Sequence, residues 1–97
     1  MMLTIDTKFK DVEYLIVEKG LRANKDYCDK QGFDSESNAR GHYNNKTFQA
    51  HGELNSPSQI KSIKLYEKAK SFFESKIIVW RSLEKRENLH FTGMLYS

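Results

Sequence analysis

The chain has 97 residues, of which 38% are hydrophobic, 12% aromatic and 30% charged, with a formal net charge of +3. That length supports one modest core, so a single compact domain over residues 1–97 is expected, and twelve aromatic rings argue against a disordered chain. One cysteine, Cys28, excludes an internal disulfide.

The first residues, Met1-Met2-Leu3-Thr4-Ile5-Asp6, carry neither a basic start nor an apolar run. They therefore do not read as a signal peptide, and no stretch approaches the roughly 18 apolar residues of a membrane span. A cytoplasmic setting without membrane contact is the expectation, in line with the lone cysteine. Leu3-Thr4-Ile5 reads as a short first strand. Phe9, Val12, Leu15 and Ile16 then recur at helical spacing and Gly20 stands where a helix would stop, which predicts a helix over residues 8–19. The competing reading is a strand through Tyr14-Leu15-Ile16-Val17, where aromatic and β-branched residues cluster.

A short helix is predicted over residues 24–31, capped by Asn24, with Tyr27 and Cys28 facing inward and Gly32 as its stop. Asp34 or Ser35 caps a third helix, which carries Ala39 and Tyr43 four residues apart and ends near Asn44-Asn45. Residues 47–55 read as a connector. Ser56-Pro57-Ser58-Gln59 has the form of a capping box with Pro at the first helical position. A long amphipathic helix is therefore predicted over residues 56–77, with Ile63, Leu65, Tyr66, Ala69, Phe72 and Phe73 on its apolar side.

Ile77-Ile78-Val79-Trp80 shifts the local preference to strand, although Phe73, Ile77 and Trp80 also suit a helix continued through residue 83. Residues 89–96 form a second strand candidate, and Glu84-Lys85-Arg86-Glu87-Asn88 between them reads as a turn. The expected fold is thus α+β: three short helices, one long amphipathic helix, and a C-terminal β-hairpin joined by the short N-terminal strand. The expected core is Leu15, Ile16, Tyr27, Ile63, Leu65, Ala69, Phe72, Phe73, Ile78 and Trp80.

Charge is unevenly distributed. Residues 1–56 hold eight Lys/Arg and nine Asp/Glu; residues 57–97 hold eight Lys/Arg and four Glu. All the positive excess is C-terminal, which points toward a polyanionic partner. Lys61, Lys64 and Lys68 fall in one stripe of the predicted long helix. Arg81, Lys85 and Arg86 add charge beside it, and Trp80, Phe91 and Tyr96 offer rings for stacking. Basic residues interleaved with aromatics are the elements of single-strand or RNA contact. Twelve of the sixteen basic residues are Lys, which suits loose electrostatic contact better than base readout.

Other chemistry is poorly represented. A helix-turn-helix centred on Gly32-Phe33 is a poor match, because Asn38 and Gly41 stand where apolar residues belong and Asp34 and Glu36 would repel phosphate. Cys28, His42, His51 and His90 lack zinc-site spacing, the carboxylates around Gly32 match no EF-hand, and no glycine-rich phosphate loop exists. No cofactor is expected. The leading expectation is a non-enzymatic binding protein that regulates or inhibits a larger nucleic-acid machine, of the kind phages and mobile elements carry. It would act through Lys61, Lys64, Lys68, Trp80, Arg81, Lys85 and Arg86, against nucleic acid or a nucleic-acid-binding protein complex. Self-association through the hairpin edge is a further expectation. The alternative is a small metal-independent ribonuclease of toxin type, with His90 as general base and Arg86 or Lys85 on the phosphate.

Overall fold

The computed structural model describes residues 2–5, 7–49, 57–72, 74 and 76–87, with backbone only at 7, 48 and 49. The chain is mostly β. Strands β1 (Met2–Thr4), β2 (Tyr14–Arg22), β3 (Lys25–Phe33), β4 (Gln59–Phe72) and β5 (Ile77–Glu87) form one curled antiparallel sheet in the order β1-β5-β4-β2-β3. A 3₁₀ turn at Thr7–Phe9 precedes β2, and among the described residues one α-helix, α1 (Glu36–Gln49), follows β3. None of the helices is long and apolar enough to cross a membrane among the described residues.

The α+β expectation of three short helices and a long one is therefore corrected at three places. Residues 8–19 are not a helix, because Tyr14 begins a central strand. Leu15, Ile16, Val17 and Glu18 are all buried, since β2 is covered on both faces. A strand buried on both sides loses its alternating polar pattern, and its continuous apolar run then mimics helical spacing. Residues 24–31 are not a helix either. Ala23 and Asn24 take positive φ angles of 53° and 65°, the form of a two-residue hairpin turn between β2 and β3.

The third correction is the largest. The long helix expected from Pro57 is β4, paired with β2 on one side and β5 on the other. The capping box read in Ser56-Pro57-Ser58-Gln59 therefore starts no helix; Ser56 lies outside the described residues, and Pro57 and Ser58 serve another element. The Asn24 N–H donates to the Pro57 carbonyl at 2.8 Å and the Ala23 N–H donates to Ser58 Oγ at 3.1 Å. These groups satisfy the β2–β3 turn rather than a helix end.

The remaining helix forms where its cap predicts. Ser35 Oγ accepts from the Asn38 N–H at 3.2 Å, and the Ser35 carbonyl accepts from the Ala39 N–H. Ala39 and Tyr43 are buried against the sheet, and the helix continues past Asn44-Asn45 to Gln49. β1 pairs with β5, Met2 opposite Trp80 and Thr4 opposite Ile78. The hairpin partner of β5 is β4, with Phe72 opposite Ile77, so residues 84–87 are strand and not turn. The second strand expected over 89–96 lies outside the described residues, as does Phe73.

The sheet has a core on each side. Between α1 and the sheet lie Ile16, Ala39, Tyr43, Ile63 and Leu65. On the opposite side lie Leu15, Val17, Tyr66, Ile78 and Trp80, closed over by Phe9 with Val12 packed alongside. Tyr27 and Ala69 are half-buried and Phe72 is exposed, so these three expected core residues sit at its margin or outside it. Among the described residues, 81–87 of β5 lie beyond the reach of β1. Arg81, Glu84, Lys85, Arg86 and Glu87 crowd that edge with charge, a composition that discourages pairing with a second strand.

Candidate functional site

Alternation along the strands sorts the charged residues by face. Residues paired directly across antiparallel strands share a face, so Val17 opposite both Lys30 and Lys64, with Lys64 opposite Lys85, defines one row. Val17 belongs to the core on the side away from α1, so Lys30, Lys64 and Lys85 lie on that side. The next row, Cys28–Lys19–Ser62–Glu87, adds Lys19 beside them. All four arginines lie on the other side. Arg22 stacks over the Tyr27 ring at 4.2 Å, Arg40 is on α1, Arg81 faces Glu67, and Arg86 faces Ile63.

Lys64 and Lys85 are direct cross-strand neighbours of like charge, an arrangement that weakens a sheet by a few tenths of a kcal/mol or more, about 0.2–1 kcal/mol. Glu87 relieves part of this, with its Oε1 3.5 Å from Lys64 Nζ. Lys19, Lys30 and Lys85 are exposed. At the β3 edge, Lys8 and Lys30 line a shallow concavity of about 730 Å³ with Phe9, Cys28, Asp29 and Gln31. The segment around Phe9, with Lys8 Nζ 5.5 Å from the Phe9 ring centroid, forms a shoulder beside the row.

The residues expected from sequence to form one basic, aromatic surface are thus divided. Lys64 and Lys85 come together, joined by Lys19 and Lys30. Lys61 is exposed on a β-bulge opposite Lys19/Gly20. Lys68 is occupied: its ammonium donates to the Lys10 carbonyl at 2.7 Å, sits 3.9 Å from Glu13 and lies 5.9 Å from the Trp80 ring centroid. It fastens the segment before β2 onto the sheet. Trp80 is fully buried and donates its indole N–H to Thr4 Oγ1 at 2.9 Å, so it is core and not a stacking platform. Arg81 and Arg86 point to the helix side. A single stripe over Lys61, Lys64 and Lys68 required a helix, and a strand with two bulges cannot present them so.

For the ribonuclease alternative, Lys85 and Arg86 are consecutive in a strand and point to opposite faces, so they do not converge on one phosphate. His90 and His51 lie outside the described residues, as do the rings of Phe91 and Tyr96. His42 lies on α1 with its ring 5.1 Å from Phe33, and burial followed by the nearby Lys46 lowers its pKa. Among the described residues no group of three or more His, Cys, Asp or Glu is placed to hold a metal, and Cys28 is a free, exposed thiol.

A second polar cluster lies on the helix side, and sequence reading did not find it. Glu18 is only 7% exposed, accepts a hydrogen bond from the Tyr27 hydroxyl at 2.6 Å and lies 3.7 Å from Lys46 Nζ. It ties the edge strand β3 and the second half of α1 to the central strand. Burial first, then the bond to Glu18, raises the Tyr27 pKa well above its usual value. Tyr27→Phe is expected to lower stability by about 1–2 kcal/mol at neutral pH by leaving the Glu18 carboxylate short of a donor. Because the folded-state pKa of Tyr27 is raised, its contribution is complete below the unfolded value near 10 and fades as pH climbs toward the folded value. Urea titrations at neutral and alkaline pH check this: the gap between wild type and Tyr27→Phe should narrow as the pH rises above about 10.

No family model, no curated protein and no solved structure matches this chain.

Proposed function

We propose that this is a non-enzymatic binding protein that regulates or inhibits a larger nucleic-acid machine, applying the face of its sheet away from α1 to a polyanion of that machine. The observation that supports the reading is the row of Lys30, Lys64 and Lys85 across three of the strands, flanked by Lys19. Two of its members are placed side by side at a cost to the sheet, which an anionic partner would turn into attraction. Beside the row lie Cys28, Ser62 and Glu87, of which Glu87 is paired with Lys64, so the lysines are the dominant charge that part of the face offers. Their identity as lysines fits electrostatic contact with an extended anion rather than bidentate recognition.

The test compares wild type with Lys30→Glu/Lys64→Glu/Lys85→Glu in gel shifts and pull-downs with nucleic acid, at low and moderate salt, after circular dichroism has verified folding. Wild type is expected to bind with strong salt dependence, and the triple variant to lose at least about tenfold in affinity. Equal retention of both proteins would remove this face from the function.

A further inference from the structure

We infer that the lysine row seats the sugar-phosphate backbone of a single-stranded nucleic acid and holds it without reading its bases. This deepens the reading above and rests on it. Three observations carry it. First, the row is a track: it runs across the strands from Lys30 on β3 to Lys85 on β5, three strand spacings or about 15 Å, the span of a few nucleotides. Beyond β3 the track meets an edge concavity lined by Lys8 and Asp29 among others.

Second, the track lies at the foot of a step. Phe9 packs over Leu15 and Val17, and Val17 is itself a member of the row, so the segment carrying Phe9 rises directly beside the lysines. Lys64 is half-buried and paired with Glu87, a position that a flexible strand reaches more readily than the fixed backbones of a duplex. A single strand bends to follow the foot of the step. Third, among the described residues the face lacks the means of base recognition. The aromatic side chains described on it, Phe9, Tyr66 and Trp80, are all buried, and every arginine is on the helix side. Stacking platforms and guanidinium forks are what confer base preference on such surfaces, and lysines alone confer charge.

The experiment uses fluorescence anisotropy with labelled oligonucleotides of roughly 12 nucleotides: a pyrimidine single strand, a purine-rich single strand and the corresponding duplex, with a polyglutamate peptide as a fourth ligand. The single strands are expected to bind within about threefold of each other and at least tenfold more tightly than duplex or peptide. Between about 50 and 200 mM salt, log affinity should fall against log salt with a slope of about −2 to −3, as three or four phosphate contacts require. Lys30→Gln/Lys85→Gln should reduce that slope by about 1 to 1.5, and Arg81→Gln/Arg86→Gln on the opposite face should leave it unchanged. Glu87→Gln, which releases Lys64, should tighten binding about two- to fivefold. Tighter binding of the duplex or of polyglutamate, with the same dependence on Lys30 and Lys85, overturns the single-strand seat and leaves the broader proposal standing. A preference above tenfold between the two single strands overturns the absence of base reading. No binding of any of the four at the lowest salt overturns both proposals.

Discussion

Replacing Trp80 with Ala is expected to cost about 3–5 kcal/mol, a large part of the stability of a domain this size. Trp80 is completely buried, the largest such side chain in the protein, and packs with Phe9, Leu15, Val17, Tyr66 and Ile78 in the core away from the helix. Its removal opens a cavity beneath the shoulder that carries Phe9. It also deletes the indole donor to Thr4 Oγ1, one of the few bonds that secure the three-residue strand β1. Trp80→Phe separates the two effects: it keeps most of the packing and loses the donor, for an expected cost of about 1–2 kcal/mol. Urea unfolding followed by circular dichroism measures both. A loss below about 1 kcal/mol for Trp80→Ala would mean that this side of the sheet is not a true core.

The second large effect is expected at Gly20, and it comes from backbone rather than side-chain packing. β4 bulges opposite Lys19 and Gly20, so that Lys19 faces Ser62 while Gly20 faces Ile60. The bulge brings the Gln59 carbonyl oxygen and the Ile60 Cα (3.0 Å) against the place a Cβ would occupy at Gly20. Neither neighbour can rotate aside, so Gly20→Ala must push β2 and β4 apart. A loss of about 3 kcal/mol is expected, with faster amide exchange along both strands near the bulge. Gly41 supplies the opposite sign. It lies within α1 with nothing near its missing Cβ, so Gly41→Ala should stabilise by about 0.5–1 kcal/mol. The pair distinguishes close approach from general intolerance of the larger residue: equal effects at both positions would contradict the bulge geometry.

The candidate site was only half legible before folding. Lys64 and Lys85 were singled out because the C-terminal half carries the positive excess. Lys19 and Lys30 were missed because the segment that holds them was read as two helices, where neither residue joins a basic surface. The usable signal was local: Ala23-Asn24 between two runs of comparable length, with an Asn that tolerates positive φ, is compatible with a hairpin. Once that hairpin is drawn, Lys30 falls opposite Val17 and the row can be extended by alternation. Glu18 gave no signal at all, since its partners Tyr27 and Lys46 lie nine and twenty-eight positions away and come together only across the sheet and helix.

What the sequence determined by itself is what depends on nearest neighbours or on composition. The Ser35 cap and the Ala39/Tyr43 pair specify one helix, Leu3-Thr4-Ile5 marks the short first strand one residue late (it runs Met2–Thr4), and strong apolarity marks Leu15, Ile16, Ile63, Leu65, Ile78 and Trp80 as core, as they are. What only the tertiary structure decided is the period in which the rest is read. β2 is covered on both faces, so its alternation is erased, and β3 is an edge strand with few apolar residues to alternate. At the start of β4, Ser58 and the Pro57 carbonyl satisfy N–H groups of a turn more than thirty residues earlier, a partnership that no local pattern announces. The physical reason is that a strand acquires its hydrogen bonds from other strands. Its identity, and the face on which each lysine emerges, are settled only when the sheet assembles.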